Sequence, residues 1–182
     1  MPKPPRSFMY LALLGVILLT IAIVVRSGML ARNSPRDRPI NSAMREALEE
    51  SGKPQLSTED AMLIGLKFNT ARVTDTGLMY MERQRGTGLM PTRGQKVTAH
   101  YDGRLLDGSP FDSSYTRGVP LTFTVGVGQV IKGWDEAFLT MKKGEKRTLI
   151  VPYWLGYGVS GKSPNIPPRA TLVFEVELVD FQ

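Results

Sequence analysis

The chain has 182 residues, 42% hydrophobic and 22% charged, enough for one domain of ordinary size plus an extension and too few for two large domains. It has no cysteine and one histidine, His100, which excludes disulfide frameworks, thiolate nucleophiles, Cys-ligated metals and two-His zinc motifs. The net charge of +6 is scattered: the only dense basic group, Lys142, Lys143, Lys146 and Arg147 around Gly144 and Glu145, reads as a solvated turn and lends nucleic-acid binding little support.

In chain order, the first feature is an uninterrupted apolar run from Phe8 to Val25. At about 18 residues it spans ~27 Å as a helix, just enough for a hydrocarbon core of ~30 Å. Lys3 and Arg6 precede it, as in the n-region of a signal sequence. The following Arg26-Ser27-Gly28-Met29-Leu30 is a poor cleavage site, so residues 1–30 read as an uncleaved membrane anchor. The run has no polar face, which argues against a buried core helix. Its orientation is contested. The short basic N-terminus is that of a signal-anchor with the rest of the chain exported, whereas Arg26, Arg32, Arg36 and Arg38 bias the C-terminal flank toward the cytoplasm. The expectation is a single-pass inner-membrane protein with its C-terminal domain outside the cytoplasm, a cytoplasmic-facing domain being the alternative.

Residues 31–69 read as a linker with short helices. Asn33 to Pro39 is rich in Arg and Pro, Asn41 to Glu50 suggests a short polar helix, and Ser51-Gly52-Lys53-Pro54 ends it. Ser57 and Asp60 have capping-box spacing, with a second helix expected over Ala61–Phe68. These helices suit a spacer or small docking surface better than a catalytic element.

From Thr76 onward short strands alternate with Gly-rich turns. Strands are expected at Leu78–Met81, Lys96–Tyr101, Leu121–Val125, Lys146–Val151 and Thr171–Val179. Asp107-Gly108 signals a hairpin, and Trp134–Met141 has the length of one short helix. A small antiparallel sheet wrapped over one helix is the natural α+β outcome.

Five segments then occur in order: Ala99-His100-Tyr101-Asp102-Gly103, Gly108-Ser109-Pro110-Phe111-Asp112-Ser113-Ser114, Gln129-Val130-Ile131-Lys132-Gly133-Trp134, Tyr157-Gly158, and Ile166 through Phe174. Together they closely resemble the FKBP family of peptidyl-prolyl cis–trans isomerases, over about Thr76 to Gln182. The resemblance implies a half-wrapped antiparallel sheet around one short helix in a catalytic domain covering 70–182, with an apolar pocket between sheet and helix. It implies catalytic roles for Asp112, Tyr157 and Ile131, and substrate contacts from Tyr101, Phe111, Val130, Trp134, Phe174, Leu121, Phe123 and Ile166. Trp134 would form the floor, Phe111 and Phe174 would wall the proline ring, and Arg117 would pair with Asp112. The partners implied are X–Pro polypeptides and the macrolides rapamycin and tacrolimus, with no cofactor and no metal. Bacterial relatives of this kind are often exported.

The residues suit that chemistry. The amide rotation barrier is about 18–20 kcal/mol because of C–N double-bond character. At X–Pro the two isomers lie within ~1 kcal/mol, so both are populated and exchange is slow. A site that binds the twisted amide better than either planar form accelerates exchange without covalent chemistry. Taken singly, Trp134, Phe111 and Phe174 also fit plain core positions, Asp112 a turn cap and Tyr157 a turn residue. His100 alternates away from Tyr101 and should face opposite to the pocket. Neither a nucleophile elbow nor a dinucleotide fingerprint is present around Ser160 or Gly126-Val127-Gly128. Leu121, at an often aromatic site, Lys162 and Asn165 before Ile166, and Pro152–Gly156 depart from the commoner family pattern, which bears on substrate preference and macrolide affinity. A binding module or holdase with weak turnover, and a membrane-tethered scaffold using Asn41–Phe68, are the alternatives to an active isomerase.

Overall fold

The computed structural model describes residues 54–182. The anchor run, the Arg/Pro linker and the polar helix expected over Asn41–Glu50 lie outside the described residues. Among the described residues no helix is long and apolar enough to cross a membrane.

Helix α1 (Thr58–Lys67) opens the described chain. Ser57 caps it, its hydroxyl accepting from the Asp60 N–H at 2.9 Å, so the capping signal read from sequence is the real N-terminus and the helix starts three residues earlier than expected. Strands β1 (Arg72–Val73), β2 (Met79–Gln84), β3 (Lys96–Leu105) and β4 (Pro110–Ser113) follow. Next come a single helical turn α2 (Ser114–Arg117), β5 (Leu121–Thr124), α3 (Lys132–Phe138), β6 (Lys146–Val151), a 3-10 turn (Tyr153–Leu155) and β7 (Leu172–Phe181). All pairings are antiparallel, in the order β1-β2-β6-β7-β3-β4, with β5 also on β3. The long strand β3 is the organiser. One edge pairs with β7 throughout, and the other takes β5 at Lys96–Ala99 and β4 at Asp102–Arg104.

Strand alternation sorts side chains onto two faces. Val97, Ala99 and Tyr101 of β3, Leu149 and Val151 of β6, and Leu172, Phe174, Val176 and Leu178 of β7 point to one side. There they bury Trp134, Ala137 and Phe138 of α3. Met79 and Ile150 point to the other side and pack, with Leu106, on Ile64 of α1. Thr171 donates to Asp60 at 2.5 Å and Lys67 to the Leu106 carbonyl at 3.0 Å, pinning both ends of that helix. α1 is therefore part of the compact unit Pro54–Gln182 and covers the second face of the sheet, rather than serving as a spacer within 31–69. The sheet accordingly carries α3 on one face and α1 on the other, rather than wrapping a single helix.

The basic group at 142–147 is less solvated than its composition suggests. Lys143 pairs with Asp180 and Lys146 with Glu177 at the surface. Arg147 is buried against Glu145 at 2.5 Å. Its other guanidinium nitrogens reach the hydroxyl and carbonyl of Thr140 at 2.8 Å each, and Glu145 also accepts from the Lys142 N–H. With those hydrogen bonds satisfied, the buried pair ties the end of α3 to β6.

Candidate functional site

A cavity of about 550 Å³ opens between the sheet and the N-terminal end of α3. The sheet supplies Tyr101 from the middle of β3, Phe174 from β7 and Phe111 from β4. These meet because Gly103 stands opposite Phe174 in the β3–β7 register and opposite Asp112 in the β3–β4 register. A Cβ on Gly103 would lie 2.8 Å from Phe111 Cζ and 3.0 Å from Phe174 Cε1. The missing side chain is what lets the two rings close edge to face, at 5.5 Å between centroids and 90°.

Trp134 lies at the centre of the aromatic cluster. Its ring is 4.9 Å from Tyr101, 5.2 Å from Phe174 and 5.4 Å from Phe138, edge to face each time. It is 4% exposed, and its indole N–H has no acceptor among the described residues. Ile131 caps α3 through its carbonyl, which accepts from Trp134 and Asp135. Its own extended conformation (φ −60°, ψ 148°) leaves the Ile131 N–H without a hydrogen bond to any described residue. An amide donor without a partner among the described residues thus stands beside the cavity, where an unmade hydrogen bond is costly and an incoming carbonyl is favoured.

The polar corner is a triangle. The Tyr101 hydroxyl donates to Asp112 at 2.5 Å, Arg117 donates to the Tyr101 oxygen at 2.7 Å, and Arg117 also pairs with Asp112. Burial pushes the Asp112 carboxyl up, but the hydrogen bonds from Tyr101 and Arg117 and the guanidinium charge outweigh it and hold it below the usual carboxylate range. Burial, with the hydrogen bond to Asp112, pushes the Tyr101 phenol up. Asp112 does not cap α2: that turn has Ser113 at its N-cap position with no side-chain cap. Ser114, fully buried, instead clamps the Tyr101 backbone, accepting from its N–H at 2.8 Å and donating to its carbonyl at 3.1 Å. His100 points away from the cavity, stacked on Tyr115 with Nδ1 3.0 Å from the Ser114 hydroxyl.

Of the residues singled out from sequence, Tyr101, Phe111, Asp112, Leu121, Val130, Ile131, Trp134, Tyr157 and Phe174 line this one cavity. Arg117 stands behind Asp112. Phe123 does not reach the cavity. It lies one layer deeper, 3% exposed, packed on Trp134 and Phe138. Ile166 is also buried and faces a neighbouring cavity of about 310 Å³ that shares Phe111, Asp112, Tyr157 and Lys162 with the first. Alternation along a strand tells which face Phe123 takes and not how deep it sits, and that is why sequence misplaces it. The lining also includes Gln129, Lys132 and Lys162, exposed polar positions that no periodicity marks. Gln129 is spoken for, accepting from the Thr124 N–H at 2.6 Å.

A family model described as FKBP-type peptidyl-prolyl cis-trans isomerase matches residues 88–179. The chain is 53% identical over 103 residues to an FK506-binding protein of Neisseria meningitidis serogroup B, covering 57% of this chain and 94% of that protein. It is 53% identical over 104 residues to FK506-binding protein 1A of Neurospora crassa, covering 57% of this chain and 87% of that one. Human peptidyl-prolyl cis-trans isomerase FKBP2 is 52% identical over 90 residues, which are 50% of this chain and 63% of the human protein. Among solved structures, that of AtFKBP13 superposes with a TM-score of 0.60 at 42% identity, over 62% of this chain and 98% of the other.

Proposed function

The chain belongs to the FKBP-type peptidyl-prolyl cis-trans isomerase family, and on that premise we propose how its cavity turns an X–Pro bond. The carrying observation is the pairing of aromatic walls with an unpaired amide donor at Ile131. The proline ring enters between Phe111 and Phe174 over Trp134. The carbonyl of the proline residue itself, outside the rotating amide, is held by the Ile131 N–H, with Tyr157 beside it. Rotation out of the amide plane moves electron density back onto the prolyl nitrogen and changes the carbonyl dipole. An apolar site with few fixed dipoles favours that less conjugated form over either planar one, so the barrier falls without a bond being made or broken. Asp112, held ionised by Arg117 and oriented by Tyr101, sets the field at one end of the site. A comparison of kcat/KM in H2O and D2O tests this. Equal values are expected, because no proton moves in the transition state; a pronounced slowing in D2O contradicts it.

The same reading extends to partners and place. X–Pro polypeptides are the substrates, so the chain assists protein folding. Tacrolimus and rapamycin occupy the cavity as inhibitors; the relatives named FK506-binding proteins support this. Residues 1–30 anchor this bacterial-type enzyme in an inner membrane through Phe8–Val25, residues 31–53 connect, and the isomerase domain stands outside the cytoplasm. The apolar run behind Lys3 and Arg6 supports this. Protease added to intact spheroplasts should digest the domain. Protection until the membrane is permeabilised would place it in the cytoplasm, as the arginines at 26, 32, 36 and 38 favour.

A further inference from the structure

The charges around the cavity do not balance. Lys132 and Lys162 both line it, and neither makes an ion pair among the described residues. Asp112 is the sole carboxylate in the lining, and Arg117 and Tyr101 already engage it. The rim therefore presents two unmatched cations around an anion that is already neutralised.

Lys162 has the more telling position. It belongs to both the main cavity and the adjoining one beneath Ser163–Ile166. Its ammonium stands 5.3 Å from the centre of the Tyr157 ring, at the junction of the two. The second cavity adds the polar Ser163 and Asn165 to the walls it shares. The two cavities share Phe111, Asp112, Tyr157 and Lys162, and the residue next to a proline is only about 3.8 Å away from Cα to Cα.

We propose that this site selects X–Pro segments carrying an acidic side chain next to the proline, with Lys162 as the specificity-determining residue and Lys132 adding to the attraction. The inference rests on the isomerase reading above and names its substrate class. An acidic neighbour meets an ammonium with no competing carboxylate, whereas a basic one meets two like charges. Because both lysines are exposed, the preference is modest: about 1.5- to 5-fold in rate, the range of exposed ion pairs. It is also salt-sensitive, since the screening length falls from ~10 Å at 0.1 M to ~3 Å at 1 M.

The test uses the full chain and four peptides of one frame at neutral pH, with Glu or its isostere Gln placed before or after the proline. Catalysed exchange is read by NMR with the uncatalysed rate subtracted. The Glu/Gln ratio should exceed one in at least one position at low salt. It should fall toward one in 1 M salt and in Lys162→Gln, and survive in Lys162→Arg. Changes common to both peptides, including partial unfolding of a variant, cancel in the ratio. A ratio at or below one in both positions overturns the proposal, as does a preference undiminished in Lys162→Gln. Wild-type protein that accelerates neither Glu nor Gln peptides contradicts the isomerase reading itself, and that outcome is recognisable by its indifference to the Glu-for-Gln exchange.

Discussion

Asp112 shows how one side chain is given a role by its neighbours. Its side chain is 44% exposed, yet its two oxygens are divided between a phenol and a guanidinium. A carboxyl whose folded-state value is lowered contributes stability that is present above its unfolded value, ~3.9, and lost as pH falls through the folded value. Activity should therefore be flat from about pH 5 to pH 9, because Asp112 stays ionised, the Tyr101 phenol stays protonated and His100 lies outside the cavity. It should fall only in acid. A pH–rate profile with an inflection in the histidine range would show that His100 reaches the chemistry. Asp112→Asn keeps the size and an acceptor for Tyr101 but removes the charge. Lower kcat/KM with little change in Tm is expected, since an exposed pair contributes about 0–1 kcal/mol; full activity in this variant would remove the charge from the mechanism. Gly103→Ala tests the walls. Its Cβ would press on Phe111 and Phe174, and overpacking costs about 1–3 kcal/mol. KM should rise more than kcat falls, because the walls hold planar and twisted prolyl groups alike. An unchanged KM would mean the rings do not grip the substrate.

At the scale of elements, the legible parts were those with a one-sided environment. β3 announces itself through Val97, Ala99 and Tyr101 at every second position, and β7 through Leu172, Phe174, Val176 and Leu178. β6 is buried on both sides, with Leu149 and Val151 under α3 and Ile150 under α1, so its apolar run betrays a strand and not its faces. α3 starts two residues before the expected Trp134 because Ile131 caps it with backbone alone and no Ser, Thr, Asp or Asn marks the spot. α1 was legible as a helix and illegible as a packed one. Met62 and Leu66 remain exposed, and Ile64 is the helix's buried residue, so its pattern carries no clear apolar stripe. Its contribution can be measured. A fragment starting at Thr70 should unfold at lower denaturant than one starting at Pro54, by at least the ~1.5–3 kcal/mol of one buried aliphatic side chain, with Met79, Leu106 and Ile150 newly exposed. Equal midpoints would mean that α1 rests on the sheet without stabilising it.

At the scale of the whole molecule, the sheet is a support that brings distant parts of the chain to one cavity: Tyr101, Asp112, Ile131, Tyr157 and Phe174 are all in its lining. Motif order made those residues legible from sequence. Lys162 stands out in the sequence only as a departure from the family pattern, and Lys132 does not stand out as lining at all, because a solvated charge follows no period. We assign the turning of X–Pro bonds to this cavity. The most direct test of that assignment is two-dimensional exchange NMR on an X–Pro peptide with the Pro54–Gln182 unit, with and without tacrolimus. The account predicts cis–trans exchange that quickens in proportion to protein concentration and returns to the buffer rate when tacrolimus fills the cavity. A folded unit that leaves exchange at the buffer rate, or acceleration that saturating tacrolimus does not touch, would contradict it.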